Sequence, residues 1–113
     1  MKDLAPEIYR QRLVLEGYPN KAIDDVAIKE YLNELSNRID MQALITPVTH
    51  RSDKFGWAGW IHWETSGAHF YAWEKPRLFF SVDVYTCKAF EPQLAVQFTK
   101  DFFKIDTVEY REF

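Results

Sequence analysis

Cysteine occurs once, at Cys87, so no internal disulfide can form. A reducing compartment is therefore expected, with the thiol free as either a buried small hydrophobe or a reactive group. Long apolar runs are missing as well: none approaches the roughly 18 residues that a bilayer-spanning helix needs. The stretch from Met1 to Pro6 lacks the apolar core of a signal peptide. Neither membrane insertion nor export is expected, and the cytoplasm is the predicted location. Positive charge is not in excess either, since 14 Lys and Arg face 17 Asp and Glu for a net charge of −3. Electrostatics thus give no reason to expect nucleic acid or an anionic membrane as partner. The three histidines, His50, His62 and His69, show no paired ligand spacing, so no metal site is expected. Repeats, low-complexity tracts and linkers are absent too. The 113 residues fit one domain, 1–113, with one core and one site.

Aromatic side chains are what the chain has in excess. Four Trp, six Tyr and nine Phe make 17% of it. Large rings fill the core of a small domain efficiently. The surplus points to a partner surface or a flat ligand.

Glu7 to Tyr18, centred on Leu13, Val14 and Leu15 and closed by Gly17 and Pro19-Asn20, reads as a strand. Between Asp24 or Asp25 and Ile39, apolar residues fall at Ile28, Tyr31, Leu32, Leu35 and Ile39. That is one face of a helix, with the aspartates placed to cap its free N–H groups. Met41 to Val48 is expected to be a second strand, at an edge or ending in a bulge because of Pro47, followed by a polar loop from His50 to Lys54. Trp57 to Trp63 is a third strand with rings on both faces. Such a strand is expected to be covered on both, by helices on one side and a second sheet or subunit on the other.

Ser66 to Trp73 and Arg77 to Cys87 follow as two more strands around a Glu-Lys-Pro turn. In the second, Leu78, Phe80, Val82 and Val84 form an apolar face, while Phe79, Ser81, Asp83, Tyr85 and Cys87 form a mixed one. The apolar face is core. The mixed face sets a hydroxyl, a carboxylate and a thiol among rings, and a chemical site is expected within residues 64–87. Glu91, Pro92, Leu94, Ala95, Phe98 and Phe102 mark a second amphipathic helix, and Thr107 to Phe113 a closing strand. The order predicts an α+β two-layer sandwich, a mainly antiparallel sheet with two helices on one face; a ferredoxin-like arrangement is the alternative.

The run Val82-Asp83-Val84-Tyr85-Thr86-Cys87, followed by Phe90, Pro92, Ala95 and Phe98, resembles the bacterial-type S-adenosylmethionine decarboxylase family. Members carry a Val-Asp-Val-Phe-Thr-Cys strand leading into a helix that starts near a proline, and the order of elements matches over almost the whole chain. The resemblance implies that a serine about twenty residues before the cysteine cuts its own chain and becomes a pyruvoyl group, the electron sink for decarboxylation. Ser66 lies twenty-one positions before Cys87. Cys87 is then the proton donor, and the product feeds polyamine synthesis. The family's processing motif reads Glu-Ser-His, with a second histidine a few residues on. Here Thr65 and Gly67 flank the serine, and the second histidine falls on Tyr71 or Ala72. Glu64 stands one residue early for the lost glutamate. His69 follows Ser66 by three, which strict strand alternation places on the opposite face unless a bulge intervenes.

Each of these residues also has a plain structural reading. Ser66 beside Gly67 suits a strand start for conformational reasons alone, Cys87 suits a strand end, and Asp83 suits an interface salt bridge. Most rings suit core or interface, although Trp60 or Phe79 is placed to stack on an adenine. A hydrolase site from Ser66, His69 and Asp83 lacks the nucleophile elbow. The expected catalytic set is therefore Ser66, Cys87 and His69, with Asp83, Glu64, Phe79 and Trp60 binding S-adenosylmethionine or a related amine in a homodimer. The alternative is an unprocessed paralogue that cleaves or merely binds S-adenosylmethionine without a pyruvoyl group.

Overall fold

The computed structural model describes residues 1–113. Six strands and two helices follow in the order β1 (Gln11–Gly17), α1 (Asp25–Arg38), β2 (Val48–Ser52), β3 (Gly56–Trp63), β4 (Ser66–Trp73), β5 (Phe79–Thr86), α2 (Pro92–Phe103) and β6 (Glu109–Glu112). The strands form one sheet in the order β2-β3-β4-β5-β1-β6, and every neighbouring pair is antiparallel. Both helices lie on the same side. The result is the α+β two-layer sandwich that the pattern of elements predicts.

Local chemistry accounts for the element ends. The Asp24 carboxylate accepts the Ala27 N–H at 2.9 Å and so starts α1. Glu91 caps α2 in the same way, Pro92 occupies its first turn, and Lys104 ends it in the left-handed conformation. One strand is misplaced in the sequence reading. Between Met41 and Pro47 only Ala43 bridges to the sheet, opposite Trp63, and the regular ladder begins at Val48. Pro47 has no N–H to give a ladder, so pairing resumes after it. His50, Arg51 and Ser52 are thus edge-strand residues rather than loop, and their polarity suits an edge.

The core lies between the helices and one face of the sheet. Leu13, Leu15, Ile61, Trp63, Phe70, Phe80, Val82 and Val84 point from the sheet into it, and Ile28, Tyr31, Leu32, Leu35, Ala95 and Phe98 meet them from the helices. Gly59 lets α1 approach β3, because a Cβ there would lie 2.6 Å from the Ile28 Cγ2. Tyr31 is the centre of this layer, with ring centroids of Phe70, Phe98, Phe102 and Phe103 within 5.1–5.5 Å. Its hydroxyl meets Thr99 Oγ1 at 2.8 Å, and Thr99 in turn donates to the Ala95 carbonyl. Burial pushes the Tyr31 phenol well above its ordinary pKa, and the bond to Thr99 offsets only part of that. Trp63 Nε1 donates to Ser36 Oγ at 2.7 Å, and Ser36 donates to the Leu32 carbonyl. Every buried side-chain polar atom of this layer has a partner.

Candidate functional site

The opposite face of the sheet carries no helix, and the strand register arranges its side chains in rows. Arg12, Tyr85, Gly67 and His62 occupy one row across β1, β5, β4 and β3. Val14, Asp83, His69 and Trp60 occupy the next, and Glu16, Ser81, Tyr71 and Ala58 the one after. Trp73 and Phe79 pair beyond these. The open face therefore has two ends of different character. Near Ser66 it is polar and charged; away from Ser66 the rings of Tyr71, Trp73, Phe79 and Tyr18 run edge to edge, with centroids 5.3–6.1 Å apart.

At the polar end a cavity of about 400 Å³ is lined by Ser66, Gly67, His69, Asp83, Tyr85 and Trp60 among others. Ser66 and His69 both line this cavity, as do the core residues Ile61 and Ala68; in the strand register Ser66 pairs with the buried Trp63 and Thr86, whereas His69 lies in a row of the open face. Ser66 has a φ of 129°, a backbone conformation that L residues rarely adopt. No hydrogen bond joins the Ser66 and His69 side chains. Gly67 explains why glycine follows the serine here. A Cβ at Gly67 would lie 2.3 Å from the Ile61 carbonyl oxygen, so this backbone has no room for the histidine of the family motif. Tyr71 is on the open face and Ala72 is buried in the core, so neither candidate position for the second histidine presents an imidazole.

Behind Ser66 the hairpin from β3 to β4 is tied to the end of β5. The Thr65 carbonyl, which belongs to the peptide bond preceding Ser66, accepts two hydrogen bonds of 2.9 Å, from the Cys87 N–H and from Thr86 Oγ1. Thr86 is fully buried. Its Oγ1 also lies 3.0 Å from Thr65 Oγ1 and accepts the Lys88 N–H at 3.1 Å. Thr65 Oγ1 lies 3.4 Å from Met41 Sδ. The backbone of Cys87 is one hydrogen bond from the residue before Ser66, while its thiol is exposed just past the strand end.

The structure thus brings Ser66, His69, Asp83 and Trp60 together and sets Cys87 beside them. It does not bring in the other two. Glu64 is exposed in the hairpin turn and its N–H pairs with the Gln42 carbonyl. Phe79 lies at the far end of the face, in a separate cavity of about 420 Å³ with Tyr18 and Lys104. Sequence reasoning also missed Arg12. Its Nε and Nη2 donate to the two oxygens of Asp83 at 3.0 and 2.9 Å, a fork-to-carboxylate pair that spans β1 and β5. The hydrogen bonds that Asp83 accepts, reinforced by its negative charge, raise the Arg12 pKa. The two partners are 71 positions apart, so only the register of β1 on β5 reveals the pair. The Phe113 ring lies under the guanidinium, with its centroid 4.8 Å from Cζ.

Comparison with known proteins gives three results. A family model described as S-adenosylmethionine decarboxylase matches residues 12–113. No curated protein matches the sequence. Among solved structures, the crystal structure of the adenosylmethionine decarboxylase from Aquifex aeolicus VF5 is similar, with a TM-score of 0.74 over 94% of this chain and 89% of that one, at 15% identity. At that identity the likeness speaks for the fold.

Proposed function

The chain belongs to the S-adenosylmethionine decarboxylase family, and we propose that it is a lyase that decarboxylates S-adenosylmethionine or a related amino acid for polyamine synthesis, after cutting itself before Ser66. The observation that carries this reading is the peptide bond between Thr65 and Ser66. Its carbonyl is polarised by the Cys87 N–H at 2.9 Å, and the residue after it is held at a φ of 129°. A polarised carbonyl next to a strained serine is poised for attack by that serine's own hydroxyl.

The step balances without any added oxidant. Ser66 Oγ adds to the Thr65 carbonyl carbon, the peptide C–N bond breaks, and the freed nitrogen takes a proton, leaving an ester. Loss of the Ser66 Cα proton then expels the Thr65 carboxylate. Hydrolysis of the resulting enamine releases ammonia and leaves a pyruvoyl group as the first residue of β4. The surroundings fit such a group: it stands at the rim of the 400 Å³ cavity, Gly67 sets no side chain against it, and His69 lines the same space as the available proton carrier. Once formed, the group supplies an electron sink for loss of the substrate carboxyl. Cys87 holds the proton for the carbon that loses it, and the ring of Trp60 with the Asp83 carboxylate borders the bound substrate.

A second copy of the chain is the proposed partner, covering the aromatic end of the open face. Tyr18 and Tyr71 are each more than a third exposed in the monomer, and the run of rings is of the kind that protein interfaces bury. The polar end remains free for substrate.

A specific observation favours a second reading. Because Gly67 has no room for a side chain and Tyr71 and Ala72 replace the second histidine, an intact chain that holds S-adenosylmethionine and cleaves it by internal displacement, or only binds it, is the alternative.

Mass spectrometry of the purified protein decides. The pyruvoyl reading expects two fragments, residues 1–65 and 66–113, from the native chain and one uncut species from Ser66→Ala. A single 13.4 kDa species from both removes it. In that case release of methylthioadenosine from S-adenosylmethionine identifies the displacement lyase.

A further inference from the structure

Cleavage before Ser66 turns the Thr65 carbonyl oxygen into an oxyanion, and the structure shows a side chain already placed against that oxygen. We infer that the Thr86 hydroxyl is a catalytic donor for this oxyanion, working with the Cys87 N–H; the inference rests on the self-cleavage reading and adds a residue to it. Thr86 Oγ1 lies 2.9 Å from the Thr65 oxygen, as close as the Cys87 nitrogen. A pair of donors at this distance is the arrangement that stabilises a tetrahedral intermediate.

The neighbouring bonds decide which way the Thr86 proton points. A hydroxyl has one proton to give. Thr86 Oγ1 receives the Lys88 N–H at 3.1 Å, which occupies a lone pair and leaves its own proton for an acceptor. Three acceptors are within reach, the Thr65 carbonyl at 2.9 Å, Thr65 Oγ1 at 3.0 Å and the weaker Met41 Sδ at 3.8 Å. Thr65 Oγ1 has its own outlet at Met41 Sδ, 3.4 Å away, where it can only donate. The carbonyl has no proton and only accepts. With the charge that develops on attack, the carbonyl oxygen becomes the strongest of the three acceptors, and the Thr86 proton goes to it. Thr86 is fully buried, so water does not compete for this bond and the interaction gains from the low local dielectric. The arrangement is preorganised: β5 carries the hydroxyl, the β3–β4 hairpin carries the carbonyl, and no movement is needed to bring them together.

Pulse-labelled chains, followed by gel from synthesis onward, test this. Thr86→Val, nearly the same shape without the proton, is expected to slow the appearance of the 66–113 fragment by about 100- to 1,000-fold, the usual effect of losing one such donor. Thr86→Ser restores the hydroxyl and is expected to return the rate to within about tenfold of the native chain. Melting temperatures of both variants in a Ser66→Ala background, where no cleavage occurs, separate a folding defect from a loss of rate. Equal cleavage by the native and Thr86→Val chains overturns the role of Thr86 and leaves self-cleavage standing. So does slow cleavage by Thr86→Ser that matches Thr86→Val while the three precursors melt alike. A native chain that never cleaves overturns both.

Discussion

The two faces of one sheet follow opposite rules, although the same strands build them. On β5, Phe80, Val82 and Val84 are completely buried beneath the helices, while Phe79, Ser81, Asp83 and Tyr85 alternate with them on the open side. Under the helices each polar group is consumed: Tyr31 meets Thr99, Trp63 meets Ser36, and nothing is left to bind a ligand. On the open face polar groups and rings remain partly exposed, because no element of this chain covers them. The covered face makes the fold stable. The open face, stable enough because its partner face is so well packed, carries the proposed site and the proposed interface.

Substitutions on the two faces sharpen this contrast. The largest effect is expected in the covered layer, where Phe70→Ala removes a fully buried ring stacked on Phe80 and should cost about 3–5 kcal/mol in chemical denaturation. A loss below about 1 kcal/mol would show that the two faces are not energetically distinct. A smaller effect appears at high pH. The folded Tyr31 phenol titrates above its unfolded value of about 10, so above that pH the unfolded chain releases a proton that the folded chain keeps. Stability is therefore fully present below about pH 10 and falls by up to about 1.4 kcal/mol per pH unit above it. Tyr31→Phe should remove this part of the slope in denaturation curves from pH 9 to 11. An identical slope in both chains would mean that other groups carry it.

The smallest effect on the monomer is expected on the open face. Tyr71→Glu, at a half-exposed ring, should change monomer stability by about 0.5 kcal/mol or less. In sedimentation, however, it should shift the proposed homodimer toward monomer by setting a charge among the rings of the proposed interface. A dimer unmoved by the change would place the contact somewhere other than the aromatic end.

Most of the architecture is legible in the residue pattern. The helix face of Ile28, Tyr31, Leu32 and Leu35 and the alternation along β5 each read correctly because periodicity maps directly onto burial. The strand before Val48 misreads because apolar Leu44 and Ile45 outweigh Pro47 in a pattern search, whereas in the folded chain the missing N–H prevails and Leu44 is exposed. The candidate site is legible only in outline. Ser66, His69, Asp83 and Trp60 stand out by type, but the positive φ of Ser66 and the cavity that these residues share leave no trace in the hydrophobic pattern.

The order of amino acids by itself determined which face of each strand is apolar, where the helices begin, and the family to which Val82–Cys87 points. Only the tertiary structure decided that Thr86 and Cys87 bind the carbonyl before Ser66, that Arg12 grips Asp83, and that Gly67 lies against Ile61. Burial patterns arise from each residue's own transfer energy and repeat locally along the chain. Hydrogen bonds across 21 or 71 positions depend on strand register, which the packing of the whole sheet sets at once.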